Sequence, residues 1–252
     1  MSDHQHEEWL SGEVPLSLAG KTVMLRLVAP AAVVPPRRVL PVFQRITDAV
    51  VSIATRQLEE SGKTLSCRVR CGACCRELVP IAAMEAFHLR DVIEAMPDAR
   101  KASIRDRFAA ATEKLEAAGV LEDVRRAREL AIEDRRTLGD EYRRLQIACP
   151  FLEDESCSIY STRPLACREY LVTSPAENCS GPTDNIEGVR LPVKVSTVVS
   201  SLASESPGIS HEWIPLILAL AWTETREEDS PTRPGPEWVD EVIERISSAS
   251  QG

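Results

Sequence analysis

Apolar residues recur along the chain with two different periods. From residue 13 to residue 29 they alternate with polar residues, as at Val14, Leu16 and Leu18, which predicts a β-hairpin. Beyond residue 40 the spacing becomes three or four residues, which is typical of amphipathic helices. Helices are predicted over residues 41–60, 80–96, 98–118, 121–146 and 237–247. The pattern therefore predicts a mostly α protein with a small N-terminal β-hairpin.

Proline-rich breaks divide this pattern into three parts. We expect an N-terminal hairpin and linker over residues 1–36, a central domain over 37–180 and a C-terminal helical extension over 181–252. The two middle helices meet at Gly119 and predict an antiparallel helical hairpin, or arm. Because such an arm returns its two ends to one place, the chain before and after it should meet in space.

Charge and composition exclude several classes of protein. The formal net charge is −9 and hydrophobic residues make up 43% of the chain, so a wholly disordered chain is excluded. The acidic balance argues against nucleic acid as a partner, because phosphate binding needs a basic face. Apolar stretches are too short to span a membrane, and the N-terminus has no basic and apolar leader pattern. We therefore expect a cytoplasmic protein with no membrane and no nucleic-acid partner.

The eight cysteines carry the candidate chemistry. They all lie between residues 67 and 179, and the rest of the chain has none. In a reducing compartment, clustered cysteines more often bind metal than form disulfides. We expect an iron–sulfur cluster or zinc as the cofactor, with these residues as candidate metal ligands: Cys67, Cys71, Cys74, Cys75, Cys149, Cys157, Cys167 and Cys179.

These cysteines form two groups. The first reads Cys-x3-Cys-x2-Cys-Cys from Cys67, whose short spacings allow the thiolates to converge from a turn, and two other geometries are open. In a helix its first three cysteines would share a face, and in an extended segment Cys74 and Cys75 would point to opposite sides. The second group begins with the tetrapeptide CPFL at Cys149 and includes Arg163 and Arg168 beside its later cysteines. These arginines are expected either to contact anionic sulfur or to pair with a carboxylate.

The two groups together resemble a known family. CRVRCGACC followed by CPFLEDESCSIYSTRPLACRE is similar to the YkgJ-type CxxCxxCC cysteine-cluster proteins, which are described as zinc- or iron-chelating. The flagellin lysine N-methylases carry a similar cluster. The resemblance covers residues 67–170 and implies a metal-stapled core with seven ligands from Cys67 to Cys167. Cys179 lies outside it and is added because it makes the number of cysteines even.

The identity of the metal and the activity both remain open at this stage. The second group has gaps of 7, 9 and 11 residues, which do not fit the paired short knuckles of zinc ribbons and favour iron–sulfur over zinc. The leading hypothesis is a metal-binding cysteine-cluster protein. One alternative is an iron–sulfur-dependent protein lysine N-methyltransferase-like enzyme, and another is a zinc-stabilised adaptor that binds protein partners through the charged arm. His88 is a further candidate ligand, and no catalytic residue can be named.

Overall fold

A computed structural model describes residues 8–18, 20–181, 185–202, 213–228 and 230–249, and the structural statements below concern these residues. The fold is mostly α, as predicted. The helices are α1 (Leu40–Glu60), α2 (Ala83–Glu94), α3 (Asp98–Ala117), α4 (Leu121–Arg125), α5 (Ile132–Arg144), α6 (Leu165–Glu169), α7 (Val195–Ser200), α8 (Ala219–Glu224) and α9 (Gly235–Ala249). The strands are β1 (Trp9–Leu18), β2 (Lys21–Pro30), β3 (Val33–Val34), β4 (Pro80–Ala82), β5 (Leu152–Glu153), β6 (Ser156–Cys157), β7 (Trp213–Pro215) and β8 (Arg233–Pro234).

The N-terminal β-hairpin is confirmed and is longer than predicted. Strands β1 and β2 pair antiparallel over their whole length, from Trp9 opposite Pro30 to Leu18 opposite Lys21. The alternation predicted from the sequence places Leu16 and Leu18 on the buried face. That face packs with α1, α7 and α9 into one hydrophobic cluster, so the hairpin is part of a shared core.

Helix α9 closes the same cluster from the other end of the chain. It begins two residues before the predicted start and buries Trp238 completely. The indole Nε1–H of Trp238 donates to the backbone oxygen of Val34 at 3.0 Å. Strands β3 and β8 pair beside this contact. The hydrogen bond satisfies the polar end of the indole, as a buried tryptophan requires.

The helix predicted to start near Pro80 is wrong in its first turn. Pro80–Ala82 forms strand β4, which pairs antiparallel with β7, and α2 begins only at Ala83. Proline is tolerated at a strand end because it lacks only one ladder donor. The partner strand lies more than 130 residues further along the chain, so local periodicity had no access to this pairing.

The arm is confirmed, but its second helix is broken. Helix α3 matches its prediction, whereas the continuous helix predicted over 121–146 is wrong, because residues 126–131 separate α4 from α5. Within the break, Ala127 is buried and residues 128–131 are not, so little apolar surface anchors this part of the arm. Both halves still pack with α3 in one hydrophobic cluster that includes Leu115, Val124 and Leu138.

The ends of the arm meet, as the sequence predicted. The backbone N–H of Cys149 donates to the backbone oxygen of Cys75 at 2.7 Å. This bond joins the last cysteine before the arm to the first cysteine after it. Among the described residues, the helices are all too short or too polar to cross a bilayer.

Candidate metal centre

The first cysteine group is a series of tight turns. The N–H of Cys71 donates to the oxygen of Arg68 at 3.0 Å, and the N–H of Cys75 donates to the oxygen of Gly72 at 2.9 Å. The structure therefore has the turn that the short spacings allow, and it has neither the helix face nor the extended segment that the sequence also left open. The turns place the thiols of Cys74 and Cys75 within hydrogen-bonding range of each other instead of on opposite sides.

The second cysteine group begins with a small β-hairpin. Strands β5 and β6 pair antiparallel, with Leu152 opposite Cys157. The two residues between them, Asp154 and Glu155, both have positive φ angles, of 49° and 54°, as in the two-residue turns that suit a hairpin twist. The hairpin places Cys157 a short distance from Cys149, and helix α6 then supplies Cys167.

Gly72 allows the two groups to pack closely. Cys71 forms an isolated antiparallel bridge with Ser156 of the hairpin. A Cβ atom on Gly72 would lie 2.5 Å from the backbone oxygen of Glu155 and 2.5 Å from the Leu152 Cδ1 atom. Real Cβ atoms do not approach other atoms so closely, so any larger residue would push the hairpin away.

We expect Gly72→Ala to destabilise the protein by about 1–3 kcal/mol, the usual cost of overpacking. The same change should lower the amount of metal retained, because it separates the two cysteine groups. Gly139→Ala is the matched control, since Gly139 lies inside α5 with nothing within 4 Å of the added Cβ. That control should raise stability slightly, by about 0.5–1 kcal/mol, because alanine is the better helix former. Urea unfolding and metal analysis of both variants test this prediction. Equal stability and equal metal content of Gly72→Ala and Gly139→Ala would contradict it.

A buried carboxylate fixes the position of α6. Glu85 of helix α2 is 2% exposed. Its Oε1 accepts a hydrogen bond from the Leu165 N–H at 2.8 Å, and its Oε2 accepts one from the Ala82 N–H at 2.9 Å. Burial raises the pKa of Glu85 to about 7. This one side chain therefore links the start of α2 to the start of the helix that carries Cys167.

The cysteines converge on one region of the fold. A cavity of about 400 Å³ is lined by six of them: Cys71, Cys74, Cys75, Cys149, Cys157 and Cys167. Cys67 and Cys179 lie next to these six, since both interact electrostatically with Cys71 and Cys74. The Cys67 Sγ also accepts a hydrogen bond from the Val172 N–H at 3.4 Å. The structure thus gathers all eight predicted ligands, including Cys179, which lies beyond the part covered by the resemblance.

Most of these thiols are held in the neutral form. Burial raises the pKa of Cys149 and of Cys179 to about 12 each, and it also raises that of Cys167. Cys74 and Cys157 are exceptions, because a side-chain hydrogen bond with Cys75 lowers the pKa of both, that of Cys157 to about 7. Thiols bind metal as thiolates, so a metal ion would have to displace these protons.

The cysteine ligands suit a thiophilic metal, but their sulfur atoms are not arranged around one common point. Cysteine sulfur suits zinc and iron. Within the ranges that the structure describes, no three His, Cys, Asp or Glu side chains already have an arrangement that could hold a metal ion. The Cys75 thiol hydrogen-bonds to both Cys74 and Cys157, so these three sulfurs are already neighbours. Metal binding would therefore need small side-chain movements within a cluster that is already gathered.

The two arginines singled out in the sequence have different surroundings. Arg168 pairs with both carboxylate oxygens of Asp48, each at 2.9 Å. Arg163 lines the cavity, and its guanidinium lies over the Tyr160 ring at 4.1 Å from the centroid. Its Nε is buried and has no hydrogen-bond partner among the described residues. The hydrogen bond with Cys75 is the main cause that lowers the pKa of Cys74 and Cys157, and the positive charge of Arg163 lowers both pKa values further, so this cation lies near the two sulfurs.

Two other polar groups belong to the centre, and His88 does not. Glu77 lines the cavity and forms two hydrogen bonds with Arg143, at 2.9 and 2.6 Å. Glu77 and Glu85 were both missed in the sequence, because nothing local distinguishes them from other glutamates near a helix. His88 is absent from the cavity lining, and burial together with the charge of Arg37 lowers its pKa.

Comparison with known proteins agrees with this geometry. Residues 66–182 match the CxxCxxCC family model, described as a "Putative zinc- or iron-chelating domain". The match spans just under half of the chain and contains all eight cysteines. We call these residues the CxxCxxCC region. Neither a curated protein nor a solved structure shows significant similarity to the chain. The family description supports metal binding with zinc or iron as the cofactor.

Proposed function

We propose that the CxxCxxCC region holds a metal centre whose ligands come from its eight cysteines. The observation that carries this proposal is their convergence: two groups separated by the arm line one cavity with six sulfur atoms. A cation with no carboxylate partner in the described structure, Arg163, faces the same sulfurs. Thiolates bound to metal are anionic, so an uncompensated arginine beside them supports the assignment.

The number of sulfurs favours an iron–sulfur cluster, and zinc is the alternative. One tetrahedral zinc ion needs four ligands, and this cluster offers eight with no histidine in the cavity lining. An iron–sulfur cluster would supply electron transfer, and zinc would supply a crosslink between the ends of the arm.

The residues of the chain have separate tasks in this proposal. The backbone bond between Cys149 and Cys75 holds the two cysteine groups together. Glu85 holds α6, and therefore Cys167, at the cavity. Arg163 offsets the negative charge of the thiolates without occupying a ligand position. The metal centre thereby crosslinks the core, because its ligands come from the segments before and after the arm in the sequence.

Metal and acid-labile sulfide measured on anaerobically purified protein test the proposal. Iron with a matching amount of sulfide, and an absorption band near about 400 nm, would support the iron–sulfur assignment. Zinc without sulfide would support the alternative. Protein that contains neither metal, and takes up neither iron with sulfide nor zinc in reconstitution, would refute the proposal.

We expect Arg163→Gln to weaken metal binding by about 10–100-fold, the usual effect of losing a group that supports metal ligands. Arg163→Lys keeps the positive charge and should recover part of the affinity. Arg136→Gln, at an exposed position of α5, is the control and should leave affinity unchanged. Competition with a chelator measures all three. An affinity of Arg163→Gln equal to that of the control would show that the cation does not support the thiolates.

The two alternatives from the sequence stay predictions. A protein lysine N-methyltransferase-like activity requires a change in the spectrum of the centre when S-adenosylmethionine is added. An adaptor that docks through the arm requires partners that are lost when the tip of the arm is deleted while metal is kept. Cytoplasmic location also stays a prediction.

A further inference from the structure

A second cavity, of about 490 Å³, lies between the arm and the segment from Trp213 to Arg226. It is bordered by α3, α4, β7 and α8, and no cysteine lines it. Its volume falls within the usual range of small-molecule sites, about 300–1,000 Å³. The cavity is therefore separate from the metal centre and needs its own explanation.

The base of this cavity is apolar and aromatic. Ile214, Pro215 and Leu218 are buried, and Trp213 and Trp222 are partly exposed. Trp222 is held in place by Phe87, whose ring meets it edge to face at 5.5 Å between centroids. Tryptophan surfaces of this kind accept planar apolar groups, with little loss of side-chain entropy.

The rim of the cavity is cationic, although the chain as a whole is acidic. Three arginines contribute to the lining, Arg125, Arg128 and Arg226, against a formal net charge of −9 for the whole chain. Glu129 is the acidic residue of the lining, and its carboxylate pairs with Arg126 at 3.0 Å. The charge of that carboxylate is thus partly offset. Arg125 pairs with Glu122 at 3.4 Å, which partly offsets its own charge, and the three arginines against one glutamate leave the lining with a positive excess.

Arg226 is the most informative of these residues. Its guanidinium lies 4.7 Å from the centroid of the Trp222 ring and donates to the Thr225 Oγ1 at 3.3 Å. Elsewhere arginines such as Arg143 and Arg168 pair with carboxylates. In the part of the chain that the structure describes, Arg226 has no carboxylate partner. The stacking fixes a cationic, planar group at the edge of an aromatic cavity.

We propose that this cavity binds a small organic anion. Its planar apolar body lies against the tryptophans, and its carboxylate or phosphate group contacts Arg226 and Arg125. Guanidinium groups recognise both of these anions through paired hydrogen bonds, so the shared chemistry is a planar body with one anionic group. The proposal does not depend on the metal centre.

Calorimetric titration with matched probes tests this inference and separates the two anion types. 2-Naphthoate and AMP carry a planar body with a carboxylate or a phosphate, and 2-naphthol and adenosine are their uncharged counterparts. We expect at least one anionic probe to bind at least about 10-fold more tightly than its counterpart. Equal binding within both pairs, or no binding of either anion at millimolar concentration, would overturn the proposal. Inorganic phosphate should bind more weakly than AMP, and equal binding would overturn the role of the tryptophans.

Substitutions locate the binding. Arg125→Gln combined with Arg226→Gln should reduce the affinity of the anionic probe to that of its uncharged counterpart. Arg136→Gln lies on α5 outside the lining and should leave the affinity unchanged. Circular dichroism and metal content verify that both proteins are folded. Undiminished binding by the folded double variant would overturn the proposal, whatever the metal centre contains.

Discussion

Removal of the metal should lower the thermal unfolding midpoint of this protein by roughly 8–16 °C. A ligand present at 1,000 times its dissociation constant contributes about 4 kcal/mol to the free energy of unfolding. For a chain of this size each kcal/mol corresponds to about 2–4 °C. The physical reason is that the proposed metal would add a crosslink between the segments on both sides of the arm, beyond contacts such as the bond between Cys149 and Cys75. Scanning calorimetry before and after chelation measures the shift.

Hydrogen exchange shows where the stability is lost. Amides of the CxxCxxCC region around Cys75 and Cys149 should lose protection when metal is removed. Amides of β1, β2 and α9 should keep more of theirs, because those elements belong to a hydrophobic cluster in which no cysteine takes part. A uniform loss of protection over the whole chain, or none, would contradict a local metal staple.

A pair of substitutions tests whether a cysteine is a ligand. Cys149→Ala should lower both the metal content and the unfolding midpoint of purified protein. Ile159→Val is the matched control, since Ile159 lines the same cavity and the change removes one methylene without removing sulfur. Its expected cost is about 0.5–1.5 kcal/mol with full metal content. Unchanged metal content in Cys149→Ala would remove Cys149 from the ligand set.

Glu85→Ala should destabilise the protein by about 2–6 kcal/mol, which is the second large effect that we expect. The change leaves two buried N–H groups, those of Ala82 and Leu165, without acceptors, and each such loss costs about 1–3 kcal/mol. Glu85→Gln keeps one acceptor oxygen and should lie between the alanine variant and the wild type. Glu113→Ala, at an exposed position of α3, is the control and should change stability by less than about 0.5 kcal/mol.

The carboxyl group of Glu85 should also give stability a pH dependence. Its pKa is raised from 4.5 to about 7 in the folded protein, because burial disfavours the charged form. As the pH rises, the unfolded chain loses this proton near pH 4.3, before the folded protein does. The stabilising contribution of the neutral carboxyl is therefore fully present below about pH 4.3. That contribution falls as the pH rises towards 7 and is constant above it. Urea unfolding between pH 4 and 8 should show this fall in the wild type and a smaller fall in Glu85→Gln, because burial also raises the pKa of Glu77 and Glu169. If the stability curves of the wild type and of Glu85→Gln ran parallel over this range, the pH dependence would not come from Glu85.

The sequence determined the elements whose pattern is local. Alternating Val14, Leu16 and Leu18 predicted the hairpin, and helical spacing predicted α1, α3 and α9. The return of the arm was also predicted, because two long helices joined at a glycine bring their ends together, and the bond between Cys149 and Cys75 confirms it.

Local patterns failed where distant residues decide the conformation. Pro80 looked like the first residue of a helix, but its pairing with β7 makes it a strand. The break between α4 and α5 depends on which side chains find a buried surface.

For the candidate site, the sequence supplied the cysteines, and the tertiary structure supplied their arrangement. Spacing alone left a turn, a helix face and an extended segment open, and packing of the β5–β6 hairpin against Gly72 selects tight turns. Glu85 could not have been identified from the sequence, since its role rests on Leu165, which lies 80 residues away. Residue types and local periods are written in the sequence, whereas contacts between distant segments exist only once the chain has folded.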